Sequence, residues 1–538
     1  MKDIPKKLLI AIFPLATLQW FGSSFSYDYP QVFEAVRIQR MQIDAFKVQF
    51  LYSIGSFPNF FSNIIASMML PKLGVGYIVL FFQTTVFIGS ALTYLAVRIN
   101  SYGLICVGRI FIGISFDVCL LGMILCCEKW FRGKILSVSL SIGRFMGLMG
   151  TSSSYYLLPT ILLDTRSIEN SSFCCVVASF VVFAFTALFA VIDIKNEHLL
   201  KTNTKGENGD EEEEIQKAID QADGDQKLLG SKIVSAASMI KEKDFTFKHA
   251  KYISLKSWIL LIYLVLAPTI YYQFTNTGSD FLMVRYGFTY EEAKNTLSLL
   301  PFISALLLPF AAAMYTKFGF KPVGMLASNL FGLAAYSYLA ILPTSGESSK
   351  VTVCIILIAF FYALNYGCMW SSFLISLPKE ASGLCVGFAL TMMKGLFGTV
   401  PLFTGWLYRD RSVRGYQNWV YFMTGFSVFV TLCAVWVLII DARGDRLLIM
   451  PENDPRVFKI QQKMSNDFKN SVLSRGGDGA SKRPKTEYAT LAGQTASKTW
   501  KSNLGSNYGT KFEEVHNDFS QQKSAENVKD EPGEDDLP

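Results

Sequence analysis

The sequence predicts an all-α polytopic membrane protein whose twelve transmembrane helices form two pseudo-symmetric bundles of six. Its 538 residues are 51% hydrophobic and only 17% charged, whereas soluble domains are roughly 25% charged. The mean hydropathy is +0.31, so a single water-soluble core would leave large apolar patches exposed. The apolar residues also gather in runs of about 20, the length of a helix that crosses a bilayer core.

Twelve such runs occur, and a long hydrophilic stretch separates them into two sets of six. The first six predicted spans cover residues 8–27, 48–70, 76–97, 103–127, 135–158 and 172–193. The second six cover residues 255–275, 295–315, 320–342, 351–376, 383–406 and 418–441. The first run follows lysines, as in a signal peptide, but lacks a small-residue cleavage site, so we predict an uncleaved span.

The predicted spans divide the chain into four segments. These are an N-terminal six-helix bundle at 1–193, a cytoplasmic linker at 194–254, a C-terminal six-helix bundle at 255–445 and a cytoplasmic tail at 446–538. The linker and the tail have too few apolar residues to offset the entropy of ordering, so we predict that both are largely disordered. Because each bundle has an even number of spans, both termini and the linker share one face of the membrane.

The two predicted bundles share a faint repeat around their second and third spans. The recurring residues are Pro58, Lys72 and Gly74 in the first half and Pro301, Lys317 and Gly319 in the second. Many secondary transporters are built from repeated helical units and bind their ligand near the bilayer midplane between the repeats. The repeat therefore indicates a carrier of this kind.

The composition argues against several other classes. The net charge is +7, but the basic residues lie in loops and tails beside the spans, so we do not expect nucleic-acid binding. The sequence has no phosphate-binding glycine loop, HExxH motif or nucleophile elbow, and its ten cysteines lie in apolar runs without metal-ligand spacing. We predict neither enzyme activity nor a metal or cofactor. The expected partners are a small solute and membrane lipid.

Charged side chains inside the predicted spans are candidates for the ligand site, because each is costly in a bilayer. Asp117 is the one carboxylate well inside a predicted span, and the cations are Arg109, Arg144 and Lys394. Asp117 lies fourteen residues before Phe131 at the centre of a tight loop, and Arg144 lies thirteen residues after it. An antiparallel hairpin places both at one depth, about 15 Å from the helix ends.

Two arrangements of Asp117 and Arg144 follow from their equal depth. They either pair with each other and fix the helix packing, or bind the ammonium and carboxylate ends of a zwitterionic solute. Lys394, also near mid-depth, either anchors a second carboxylate or snorkels to the interface. Trp370 is either a stacking wall of the cavity or ordinary core, and Arg109 near the entrance of its span is expected to stabilise structure.

These residues and several others resemble the major facilitator superfamily and, more narrowly, its lysosomal dipeptide transporters. The matching segments are Tyr27-Asp28-Tyr29-Pro30, Pro58-Asn59, Arg109 with Gly113, Gly108 through Asp117, Trp130-Phe131 with Gly133-Lys134, Arg144, Tyr286-Gly287-Phe288-Thr289 and Trp370 with Pro378. The likeness spans nearly the whole membrane domain and includes neither the linker nor the tail.

The resemblance implies a facilitative exporter of dipeptides from a lysosomal or endosomal membrane, with the plasma membrane as an alternative. It implies that an acid and an arginine hold the peptide termini, and these map onto Asp117 and Arg144. It also implies a glycosylated accessory membrane protein, with a homodimer as the alternative; the sequence has its own glycosylation candidate at Asn170.

Three features depart from the family pattern. The acid is Asp117 where the family has Glu, and Lys394 lies where relatives are uncharged. The gating signature in the loops after spans two and eight is reduced to Lys72 and Lys317. Because the predicted spans hold one carboxylate well inside and no histidine, few groups could couple transport to protons, and we predict a uniporter of small zwitterionic solutes, most of all dipeptides, that works by alternating access. The alternatives are a carrier of amino acids, sugars or organic anions, and a membrane scaffold or receptor.

Overall fold

The computed structural model describes residues 6–30, 43–130, 134–220, 253–344, 348–378, 382–452 and 454–475. These residues form thirteen α-helices. In chain order they are α1 Lys6–Tyr27, α2 Ala45–Leu73, α3 Val75–Arg98, α4 Tyr102–Trp130, α5 Lys134–Thr165, α6 Ile168–Asp220, α7 Leu255–Tyr286, α8 Tyr290–Phe318, α9 Lys321–Ile341, α10 Ser348–Ile375, α11 Ser382–Leu407, α12 Val413–Arg443 and α13 Pro455–Arg475.

Helices α1 to α12 correspond one to one with the twelve predicted spans. Within the described ranges, nine of them are long and apolar enough to cross a membrane, namely α3, α4 and α6 to α12. Their outer faces expose large apolar side chains such as Phe310 and Leu432, which are 75% and 60% exposed. Such surfaces are stable against lipid and not against water. The protein is therefore a multi-pass membrane protein with an all-α fold.

Helices α1 to α6 pack together as one bundle and α7 to α12 as a second. Two helix pairs make most of the contact between the bundles, α2 with α11 and α5 with α8. The internal repeat has a structural counterpart at the turn between the second and third helices of each bundle. Gly74 and Gly319 occupy these equivalent turns with φ values of 81° and 76°, a conformation that favours glycine.

The prediction of a disordered linker from residue 194 is wrong for its first part. Helix α6 continues beyond the predicted span to Asp220. The reason is that residues 211–220 consist largely of Glu, Gln, Lys and Ala, which are strong helix formers. The rest of the linker, from 221 to 252, lies outside the described residues.

The prediction of a disordered tail from residue 446 is also wrong for its first part. Leu447, Leu448, Val457 and Phe468 are buried, and α13 follows the last span. The backbone N–H groups of Phe320 and Lys321 donate to the carbonyls of Ile449 and Leu448 at 2.9 and 3.2 Å. A few apolar side chains thus fix the start of the tail to the turn between α8 and α9. Residues 476–538 lie outside the part described.

Candidate substrate-binding site

Three of the charges predicted from the sequence lie where the two bundles meet. Asp117 is on α4 and Arg144 on α5 in the first bundle, and Lys394 is on α11 in the second. All three side chains are buried. Asp117 and Lys394 lie near the middle of their helices and Arg144 lies in the first half of α5, so the cleft holds three charges inside the membrane helices, where each requires compensation.

Asp117 forms an ion pair with Lys394 across the bundle interface. Lys394 Nζ lies 3.1 Å from Asp117 Oδ1, and each side chain is 2% exposed. The second oxygen, Oδ2, accepts a longer hydrogen bond of 3.4 Å from the Asn63 amide. Lys394 therefore reaches into the cleft, and the alternative that it snorkels to the membrane surface is wrong.

Aromatic rings surround the Lys394 ammonium group on the sides that Asp117 leaves open. Its Nζ lies 4.6 Å from the ring centre of Phe116, 5.1 Å from that of Phe397 and 5.6 Å from that of Tyr27. The negative face of an aromatic ring attracts a cation, and more strongly where water is excluded. One carboxylate and three rings thus form a complete site for an ammonium group.

Arg144 bonds to tyrosines of the second bundle. Its guanidinium donates to the Tyr272 hydroxyl at 2.8 Å and to the Tyr362 hydroxyl. It also lies over the rings of Tyr366 and Trp20, 4.3 and 5.6 Å from their centres. No ion pair of Arg144 occurs within the described ranges. The guanidinium is thus oriented by neutral hydroxyls and keeps its full charge for an anionic ligand.

Asp117 and Arg144 do not pair with each other, although the sequence left that arrangement open. The spacing along the hairpin gives the depth of each residue but not the direction in which its helix turns it. In the structure both side chains turn towards the second bundle, where Lys394 and the tyrosines receive them. Two oppositely charged anchors therefore stand apart in one cleft.

A cavity of about 320 Å³ extends from Arg144 to the end of the bundles. Trp370, Tyr366 and Ser141 line its inner part, and Thr316, Leu374 and Glu452 line its mouth. The mouth lies where α8 and α10 end, on the face that carries the termini and the linker. Trp370 therefore forms part of the cavity wall.

The opposite end of the cleft is closed by hydrogen bonds between the bundles. Gln49 Nε2 donates to the Asn276 carbonyl at 3.0 Å, and the Ser152 hydroxyl donates to the Ser298 carbonyl at 3.0 Å. On this closed side, the described residues beside Lys394 and beside Arg144 line two small voids of about 10 Å³ each, about the size of one water. The structure is thus open to the face of the termini and closed to the other.

Arg109 and Gly113 hold the first bundle together at the back of the site. Arg109 is fully buried and donates to the carbonyls of Tyr27 and Leu51 at 2.6 and 3.2 Å. A Cβ atom on Gly113 would overlap the carbonyl of Gly55 on α2. Arg109 thus joins α4 to α1 and α2, and Gly113 permits the close approach of α4 to α2.

Lys317 and Asn170 are predicted residues that do not line the cavity. Lys317 is exposed, with its Nζ 5.2 Å from the ring centre of Phe318. The side chain of Lys72 lies outside the described residues. Asn170 is exposed in the first turn of α6, on the face opposite the termini, which suits a glycosylation acceptor.

Several residues of the site and its surroundings could not be predicted from the sequence. Tyr272 and Tyr362 bind Arg144, but nothing distinguishes them in the sequence from the other tyrosines of the spans. Asp28 and Asp280 are buried carboxylates at helix ends that lay outside the predicted spans. Asp28 accepts a hydrogen bond from Tyr155 at 3.3 Å, and Asp280 accepts hydrogen bonds from Arg411 and Tyr416. Carboxylates thus occur in the buried helix ends as well as at Asp117.

Two six-helix bundles with a charged cleft between them, open to one face only, define a secondary carrier. The family model described as Major Facilitator Superfamily matches residues 8–400. The chain belongs to this superfamily.

Known relatives and solved structures are similar to the chain at low identity. It is 19% identical to "Lysosomal dipeptide transporter MFSD1" of Mus musculus over 440 residues, covering 81% of this chain and 88% of the relative. It is 20% identical to the Homo sapiens protein of the same name over 441 residues, covering 79% and 85%. Among solved structures, a D-xylose-proton symporter superposes with a TM-score of 0.55 at 13% identity, covering 80% of this chain and 97% of that one. A POT family transporter in complex with a thioalcohol-conjugated peptide superposes with a TM-score of 0.59 at 13% identity, covering 80% and 96%.

Proposed function

We propose that the protein is a uniporter that carries dipeptides out of a lysosome-like compartment by alternating access. In this proposal Asp117 binds the peptide ammonium, Arg144 binds the peptide carboxylate and Trp370 borders the peptide side chains. The two bundles rock about the cleft to expose it to one face at a time. The compartment is proposed from the similarity to the lysosomal dipeptide transporters of mouse and human.

The observation that carries this proposal is the built ammonium site at Asp117 beside the tyrosine-held guanidinium of Arg144. The ammonium site already holds an ammonium, that of Lys394. A solute with a free amine and a free carboxylate complements both anchors. A dipeptide spans about 7 Å at most, and the 320 Å³ cavity lies within the range of small-molecule sites, roughly 300–1,000 Å³.

The residues of the cleft also support uniport over proton coupling. All three histidines lie outside the membrane helices that line the cleft, and the Asp117 carboxylate is already bonded to Lys394. Uptake by reconstituted protein should therefore proceed without a proton gradient. The glycosylated accessory protein and the homodimer stay predictions.

The test is counterflow by the purified full chain in liposomes. The vesicles are loaded with unlabelled alanyl-alanine, and uptake of the labelled peptide is measured against N-acetylated and C-amidated analogues. Uptake that depends on both free termini supports the proposal. Equal competition by a capped peptide contradicts it, and competition by sugars or capped acids alone would favour the alternative of a different solute. Absence of any flux would favour a scaffold or receptor.

A further inference from the structure

The cleft carries an uncompensated positive charge. Asp117 supplies one negative charge, whereas Lys394 and Arg144 supply two positive ones, and all three side chains are buried. Asp28 lines the small void beside Arg144, and Arg109 lies buried behind it in the first bundle, bonded to backbone carbonyls, so these two opposite charges cancel in the count. Glu452 at the cavity mouth is bonded to Lys321 at 2.8 Å. Among the described charges in the cleft and directly behind it, one cation is thus in excess.

A neutral zwitterion leaves this excess in place. If the peptide ammonium takes Asp117, it displaces Lys394, since both cations need the same carboxylate and the same three rings. The peptide carboxylate takes Arg144. Lys394 then remains buried without an anion, an arrangement that is costly in a low-dielectric interior. Binding of a neutral dipeptide is weakened by that cost.

From this charge count we infer that the site selects dipeptides with one acidic side chain. The inference rests on the proposed function and specifies its substrate class. The ammonium of such a peptide replaces Lys394 at Asp117, its terminal carboxylate binds Arg144, and its Asp or Glu side chain binds the displaced Lys394. Every charge in the cleft then has a partner. A dipeptide with a lysine side chain adds a further cation and is the worst substrate.

Lys394 has a specific role in this scheme. In the empty carrier it occupies the ammonium site and joins the two bundles through Asp117. In the loaded carrier it binds the acidic side chain of the peptide. It is thus a residue that determines specificity, and its removal should change the ranking of substrates and not merely the rate.

The test compares three peptides that differ in one side chain. Ala-Glu, Ala-Gln and Ala-Lys compete at pH 7 for counterflow of labelled alanyl-alanine by the full chain in liposomes. Ala-Gln is the matched neutral control for Ala-Glu. Since coupling between close buried charges exceeds about 1.4 kcal/mol, we expect Ala-Glu to bind at least about tenfold more tightly than Ala-Gln. Ala-Lys should bind more weakly than either.

Two variants assign this preference to Lys394. In Lys394→Met the ratio of Ala-Glu to Ala-Gln affinity should fall to about one, because the excess cation is gone. Lys394→Arg keeps the charge and should keep the preference. If Lys394→Met does not fold, the wild-type ratio and Lys394→Arg still decide the question.

The outcomes separate this inference from the proposed function. A wild type that transports dipeptides but binds Ala-Gln as tightly as Ala-Glu overturns the inference and leaves the function intact. The same holds if Lys394→Met retains the full preference for Ala-Glu. If no free dipeptide competes in the wild type at all, the proposed function itself fails.

Discussion

At the scale of single residues, the ion pair between Asp117 and Lys394 has two roles that mutation should separate. Both charges are buried, and removal of one partner from such a pair leaves the other uncompensated. Removal of both partners takes away the cost as well as the attraction. Stability therefore depends on the balance of the pair, whereas in the proposed function binding of the peptide ammonium depends on Asp117.

We predict that Asp117→Asn lowers the thermal midpoint of the purified protein and abolishes dipeptide transport. The buried charge of Lys394, left without its partner, should lower the free energy of unfolding by about 3 kcal/mol. The double variant Asp117→Asn/Lys394→Met should regain most of the lost stability and still fail to transport. Thermal unfolding in detergent and counterflow measure the two properties. Recovery of transport in the double variant would show that Asp117 does not bind the substrate.

The guanidinium fork of Arg144 is the second residue whose chemistry is testable. Arg144→Lys keeps the charge but cannot donate in one plane to Tyr272 and Tyr362 and also to a carboxylate. We expect the affinity for alanyl-alanine to fall about tenfold, since a bidentate bond becomes a single one. Arg409→Lys, at an exposed position, is the matched control and should leave affinity unchanged. An unaltered affinity in Arg144→Lys would remove Arg144 from the site.

At the scale of helices, the close approach of α2 and α4 depends on glycine. Gly113 faces the carbonyl of Gly55, and the guanidinium of Arg109 also lies within reach of Gly55, 3.3 Å from the position of a Cβ. This contact carries Asp117, one turn further along α4, towards the cleft. The packing of the first bundle and the position of the site are thus connected through one small-residue contact.

Gly113→Ala should therefore destabilise the protein, because the added methyl group forces the two helices apart. Overpacking of this kind costs about 1–3 kcal/mol. Gly425→Ala on α12 is the matched control, since no atom lies within 4 Å of its Cβ position, and it should be neutral or slightly stabilising. Thermal unfolding of the two variants gives the comparison. Equal midpoints would indicate that α2 and α4 are not in contact at Gly113.

The first residues of the tail form a second element whose contribution is measurable. Lys321 Nζ is completely buried and bonds to Glu452 at 2.8 Å. Glu452→Gln removes the negative charge that compensates the buried Lys321, and it should therefore lower the thermal midpoint. The control is Asp454→Asn, two residues further on, which breaks a pair with the largely exposed Arg456.

The control pair of Asp454 and Arg456 is ionised at the pH of the assay, since Arg456 lowers the pKa of Asp454 to about 2. Its contribution is nevertheless screened by solvent, so we expect almost no change in the thermal midpoint. A larger effect at Asp454 than at Glu452 would contradict the view that the start of the tail is fixed through Lys321.

At the scale of the whole molecule, the sequence was sufficient to predict the fold. The twelve apolar runs and the repeat at Gly74 and Gly319 reflect requirements of the bilayer and of a turn with positive φ, and both are local. The limits of the linker and tail were predicted less well. Helix propensity extends α6 to Asp220, and a few apolar residues after α12 find partners on the bundle only in three dimensions.

The sequence predicted how deep in the membrane the charged residues of the site lie, but not the direction in which each helix turns its side chain. Spacing along the hairpin placed Asp117 and Arg144 at mid-membrane, and the cost of charge there singled out Lys394. Which of these charges meet depends on how helices from both bundles are turned, and a single sequence does not encode that in any local pattern. For the same reason Tyr272 and Tyr362 could not be recognised as partners of Arg144.

The central claim is that Asp117 and Arg144 each hold one terminus of a dipeptide, and matching each variant with a capped peptide tests it most directly. In the wild type, N-acetylation and C-amidation of alanyl-alanine should each weaken binding at least about tenfold. In Asp117→Asn/Lys394→Met, N-acetylation should cause no further loss of affinity, whereas C-amidation should still weaken binding. In Arg144→Gln, C-amidation should cause no further loss, whereas N-acetylation should still weaken binding. A penalty for acetylation that persists in the double variant would contradict the claim, because the ammonium would then be bound elsewhere.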